Sequence, residues 1–190
     1  AQNKLGALVV TCKAVYDAAV TLGLPFVSGK DSMKNDYRMG GVQISVPPTL
    51  LITAMGKVHD VRTVPVGYVR SDSLPQFILW VSAQAQHLED LKPNSLGLAK
   101  IDFSHTRDFL KIFHTLILEN RIESAHDVSE GGFLVTTAEM FLGTNASAVL
   151  EIPPDFNLFF EPATSFVLVV HEKNLNEVKP ILRNNLLGLH

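Results

Sequence analysis

Cysteine is almost absent: the 190 residues contain one, Cys12. A single thiol closes no disulfide within the chain, and no CxxC pair exists to hold zinc. Cys12 stands among Val10, Thr11, Ala14 and Val15, so it is expected to be packed inside a helix rather than to act as a nucleophile. No HExxH motif occurs, and His87, His105, His114 and His171 show no ligand spacing; they read as surface or locally satisfied residues. Excess positive charge is lacking too. Sixteen Lys and Arg against nineteen Asp and Glu give a net charge of −3, which offers no field for nucleic acid or an anionic membrane. No apolar run of membrane-spanning length and no signal peptide stand out, so no membrane partner is expected and the chain reads as cytoplasmic. Asn145-Ala146-Ser147 fits the glycosylation pattern by chance in that setting. The opening Ala1-Gln2-Asn3-Lys4-Leu5 has helical character and no Met, as a piece cut from a longer protein would.

What is present is ordinary globular material, 46% apolar and 18% charged, long enough for one domain or for one domain and part of another. Leu5, Val9, Cys12, Tyr16 and Ala19 recur at helical steps and predict a helix over 4–22, closed by Gly23 and stopped by Pro25. Pro25-Phe26-Val27-Ser28 predicts a short buried strand, 34–43 a polar loop around Gly40-Gly41, and 49–58 a strand. Residues 59–73, with Pro65 and Gly67, read as an interdomain linker.

Beyond it, the pattern predicts a strand over 76–82 and a helix over 103–118, with Ser104 as N-cap and Phe109, Phe113 and Leu116 facing inward. A loop over 125–132 leads into a helix over 133–141 that ends at Gly143. Strands follow near 148–152 and 165–170, and Asn174 caps a last helix interrupted by Pro180. These elements imply an α+β fold, with helices packed on mixed or antiparallel sheets.

Two loops carry chemistry. In Gly29-Lys30-Asp31-Ser32-Met33, glycine allows close backbone approach, lysine supplies charge for phosphate, aspartate can hold Mg²⁺, and serine can do either. The spacing is not that of a P-loop, and a solvated turn uses the same residue types. In His126-Asp127-Val128-Ser129-Glu130-Gly131-Gly132, Asp127 is a candidate Mg²⁺ ligand, and Ser129 either binds phosphate or caps the helix. Gly131 and Gly132 at a helix start point to close packing or to ligand approach. Glu161, after Leu158-Phe159-Phe160, lies at a strand edge or faces a site.

The run from Gly23-Leu24-Pro25-Phe26-Val27-Ser28 through Gly29-Lys30-Asp31-Ser32-Met33-Lys34-Asn35-Asp36 resembles the phosphoribosylformylglycinamidine synthase family, near the end of its second N-type domain. Val46-Pro47-Pro48-Thr49-Leu50-Leu51-Ile52-Thr53-Ala54 continues the likeness, and His126-Asp127-Val128-Ser129-Glu130-Gly131-Gly132-Phe133 with Ala138-Glu139-Met140 resembles the second C-type domain. The resemblance, which extends to the aminoimidazole ribonucleotide synthetase-like superfamily, implies the tail of an N-type domain over 1–66 and a C-type domain over 67–190.

It also implies an ATP-dependent carbon–nitrogen ligase of purine biosynthesis. The formyl amide oxygen is phosphorylated, and glutamine-derived ammonia displaces phosphate to give the amidine, ADP and phosphate. The implied partners are the missing N-terminal half of the synthase, a glutaminase domain or subunit, and the small-molecule substrate, with Mg²⁺ and ATP or ADP as cofactors. By that likeness Gly29, Lys30, Ser129, Gly131 and Gly132 contact nucleotide, Ser32 and Glu161 contact substrate, and Asp31 and Asp127 contact metal. Where the family's small form has asparagine this chain has Lys30, whose ammonium contacts phosphate rather than Mg²⁺. Two other readings stand beside this one: a noncatalytic half holding a structural nucleotide, and a small-molecule kinase of the same superfamily.

Overall fold

A computed structural model describes residues 2–32, 36–71, 74–83, 101–152, 154 and 156–185. Met33, Lys34, Asn35, Ser73 and His87 lie outside them. The chain divides into two compact units, Ala1–His59 and Asp60–His190.

The first unit opens with α1 (Gln2–Leu22). Gly23 takes a φ of 71°, and Leu24 N–H donates to Ala19 O at 2.9 Å. That is the left-handed helix stop expected of glycine. The expected buried face is not buried: Leu5, Val9 and Tyr16 are 60%, 67% and 66% exposed, and Cys12 is exposed rather than packed. Helical periodicity selects a face, but burial needs a second element laid against it. Leu5–Leu22 is also long and apolar enough to cross a membrane by length and composition alone, contrary to the sequence expectation. Lys13 and Asp17 stand near its middle, where each would cost about 2.5–3.5 kcal/mol in a bilayer.

The segment expected as a loop contains a hairpin, β1 (Tyr37–Met39) with β2 (Val42–Ile44), in the register Tyr37↔Ile44 and Met39↔Val42. Gly40 and Gly41 take φ of 57° and 82°, the two positive values a type I′ turn demands. The expected strands at 25–28 and 49–58 are absent; both stretches are exposed coil. A strand exists only by pairing, and neither run has a partner among the described residues.

The second unit begins ahead of the boundary expected at 66. A 3-10 turn at Val61–Thr63 is capped by Asp60, whose carboxylate accepts from Arg62 N–H at 2.9 Å. The Arg62 side chain holds the Asp60 carboxyl below its ordinary range. Val66 bridges Ser124, and Ala125 N–H donates to Val66 O at 3.0 Å. The supposed linker is therefore tied to the sheet through backbone hydrogen bonds.

The sheet is antiparallel, in the order β3 (Gln76–Ser82), β5 (Ser165–His171), β4 (Ser124–Asp127). Both faces are covered, which is why β3 and β5 read as unbroken apolar runs. On one face Leu79, Val81, Leu168 and Val170 pack under α2 (Phe103–Leu118) and α4 (Glu172–Asn185), with Phe109, Phe113, Leu116, Val178 and Leu182. On the other, Trp80, Val167 and Val169 meet Phe133 and Met140 of α3 (Gly132–Phe141). Residues 148–152, expected as a strand, are coil; Leu150 and Phe156 pack as a lid on this second core instead.

Two caps differ from expectation. Asp102, not Ser104, caps α2, accepting from His105 N–H at 2.9 Å. The helix α4 starts directly after β5, so Asn174 lies within it and donates to Arg121 O at 3.4 Å. Pro180 sits inside α4, as expected.

Candidate functional site

Residues 29–32 are exposed coil in the first unit. The Lys30 ammonium donates to the Asp31 carbonyl and, at 3.2 Å, to Ser32 Oγ. A Cβ on Gly29 would meet nothing within 4 Å, and its φ is outside the left-handed region. Neither backbone nor local packing therefore demands glycine there.

The second loop is built by the sheet. β4 ends at Asp127, opposite Phe166, and Val128 N–H donates to Ser165 O at 2.9 Å. The chain then turns into α3. Asp127 projects a carboxylate that is 69% exposed. Its carbonyl lies 2.8 Å from His126 Nδ1 and accepts from Thr136 Oγ1 at 3.3 Å. The other ring nitrogen of His126 lies 3.8 Å from Glu139 Oε2. His126 and Asp127 edge a cleft of about 370 Å³ floored by Phe113, Ile117 and Phe166.

Ser129 does not cap α3 with its side chain. The cap position is Gly131, with φ 87° and no side-chain cap bond, and Gly132 N–H donates to the Ser129 carbonyl at 3.0 Å. Glu161 lies in coil before β5, and its Oε1 accepts from Gly131 N–H at 2.7 Å. A carboxylate at a helix N-terminus meets free N–H groups and the positive end of the helix dipole. The glycine at 132 is explained by packing. Its φ is 67°, and a Cβ there would fall 2.6 Å from Phe159 C, 2.7 Å from Phe160 O and 2.8 Å from Leu158 O.

The structure thus brings Asp127, Ser129, Gly131, Gly132 and Glu161 around one turn. Sequence reasoning overlooked Thr136 and gave no role to His126 or Glu139. The two carbonyl contacts were not legible, but the position of Glu139 in the Ala138-Glu139-Met140 motif was a signal. Among the described residues no three His, Cys, Asp or Glu side chains gather as a metal site. Asp127 offers one hard oxygen donor, which suits Mg²⁺ held by few protein ligands together with phosphate and water.

The family described as "AIR synthase related protein, C-terminal domain" matches residues 80–187. The chain is 31% identical over 188 residues to phosphoribosylformylglycinamidine synthase subunit PurL of Pyrococcus furiosus, covering 95% of this chain and 26% of that protein. It is 30% identical over 157 residues to the PurL subunit of Mesorhizobium japonicum, covering 77% and 20%. Among solved structures, phosphoribosylformylglycinamidine synthase II of Thermotoga maritima matches with a TM-score of 0.50 at 16% identity, over 68% of this chain and 23% of that one; this likeness concerns the fold. The chain spans about a quarter or less of the length of these relatives. The match over residues 80–187 covers more than half of the chain, and the chain therefore belongs to the AIR synthase related family and carries its C-terminal domain.

Proposed function

We propose that the chain serves as part of a phosphoribosylformylglycinamidine synthase, a carbon–nitrogen ligase of purine biosynthesis. The observation that carries this reading is the 31% identity to the Pyrococcus furiosus PurL subunit, which extends over 95% of the chain and includes both loops. In this reading Ala1–His59 is the tail of an N-type domain and Asp60–His190 the C-type domain. The partners are the rest of the synthase and a source of glutamine-derived ammonia, and the setting is cytoplasmic. The midpoint charges of α1 favour protein rather than membrane as its partner.

The overall reaction transfers the γ-phosphoryl of ATP to the formyl amide oxygen. Ammonia then attacks the activated carbon, and phosphate leaves. Such chemistry rests on positioning and on charge stabilisation. Gly29 leaves room for nucleotide backbone approach, Lys30 turns from its own loop to a phosphate, Asp31 offers a carboxylate for metal, and Ser32 hydrogen-bonds substrate. Mg²⁺, held by Asp127, would screen the phosphate charge of a nucleotide.

A specific observation favours a structural rather than reacting nucleotide in the second unit. Glu161 already takes the Gly131 N–H, and packing against residues 158–160 accounts for Gly132. With the Gly131 N–H given to Glu161 and the Gly132 N–H to the Ser129 carbonyl, the Asp127 turn has fewer free donors for a phosphate in transfer than its sequence suggested.

Ser32→Ala in the full-length protein tests the reaction role. Ammonia-dependent amidine formation should collapse while thermal unfolding stays unchanged. Near-normal activity would reassign residues 29–32 to structure.

A further inference from the structure

His126 has no role in the reading above, yet it is the side chain most closely engaged with the metal candidate. Its ring is 27% exposed and lies beside Gly67, where a Cβ would stand 3.7 Å from Cδ2. Nδ1 is 2.8 Å from the Asp127 carbonyl oxygen. A carbonyl can only accept, so this contact places a proton on Nδ1. Thr136 Oγ1, from α3, donates to the same oxygen at 3.3 Å. On the far side of the ring, Nε2 faces Glu139 Oε2 at 3.8 Å.

These contacts fall where β4 ends. Asp127 is its last residue, and the carboxylate is largely exposed with no further strand to orient it. Two things then bear on the direction of that carboxylate: His126 Nδ1, which also lies 3.5 Å from Asp127 Oδ1, and the peptide that follows it. Two side-chain donors, one from β4 and one from α3, hold this peptide by its oxygen.

We propose that His126 is a positioning residue that aims the Asp127 carboxylate at a divalent cation, with Thr136 as the second donor to the same carbonyl. The inference rests on the reading of Asp127 as a metal ligand. Outer partners that orient metal ligands typically contribute about 10–100-fold in metal affinity.

The test uses Mn²⁺ binding to the full-length protein with ADP present, read from loss of the free-ion EPR signal. His126→Ala should weaken Mn²⁺ binding by about tenfold or more. His126→Asn, whose amide N–H sits where Nδ1 does, should restore it, and His126→Gln, whose amide reaches toward Nε2, should not. Thr136→Val should weaken binding in the same direction. If His126→Ala fails to fold, the Asn and Gln variants decide between donor and bulk. Unchanged binding in His126→Ala, or equal losses in the Asn and Gln variants, overturns the proposal. Asp127→Asn separates the two levels. Unchanged Mn²⁺ binding there overturns the metal-ligand reading itself, whereas its loss there with normal binding in His126→Ala overturns only the positioning role.

Discussion

Replacing Gly132 with alanine should destabilise the second unit by two separable routes. Gly132 sits at φ 67°, and an L-residue in the left-handed region costs about 1–2 kcal/mol. The added Cβ would also press on the backbone at residues 158–160, between 2.6 and 2.8 Å from three atoms. That backbone is tied to α3, because Leu134 N–H donates to Leu158 O at 3.0 Å, so it cannot yield without breaking a bond. Overpacking of this kind costs about 1–3 kcal/mol. The sum is about 2–5 kcal/mol, or roughly 4–20 °C in unfolding midpoint for a chain of this size. Gly143 is the internal control. Its φ is 73° with nothing within 4 Å of a Cβ, so Gly143→Ala should show the conformational cost alone, about 1–2 kcal/mol. Thermal and urea unfolding followed by circular dichroism would measure both. Equal losses at 132 and 143 would refute the close-packing explanation and return Gly132 to the candidates for ligand approach.

Other expectations follow from single contacts. Phe109 is 1% exposed and stacks 6.0 Å from both Phe113 and Phe166; Phe109→Ala should cost about 3–5 kcal/mol in urea unfolding. Asp102→Ala should cost about 1 kcal/mol by removing the α2 cap, while Ser104→Ala should be nearly silent; the reverse order would restore the cap expected from sequence. Pro180 is exposed inside α4, so Pro180→Ala should raise the unfolding midpoint, through a gain of up to about 3 kcal/mol.

The sequence by itself determined the elements that carry their own pattern or punctuation. Three-residue and four-residue apolar steps marked α1 and α2, and apolar runs marked β3 and β5. Glycines also fulfilled their signals, Gly23 as a helix stop and Gly131-Gly132 as the tight turn into α3. The motif around Asp127 and its family likeness were equally legible, because they depend on residue identity in order along the chain. What only the tertiary structure decided is everything that needs a partner from elsewhere. Residues 25–28 and 49–58 have strand composition but no strand to pair with among the described residues, and the apolar face of α1 has helical spacing but remains exposed. Residues 59–73 read as a linker in the sequence, yet Val66 within them is bonded to β4. Glu161 reaches Gly131 across thirty positions, and Thr136 reaches the Asp127 carbonyl from another element. Local pattern fixes backbone preference within a few residues. Burial, pairing and the aim of a carboxylate depend on contacts between distant segments, which no local pattern encodes.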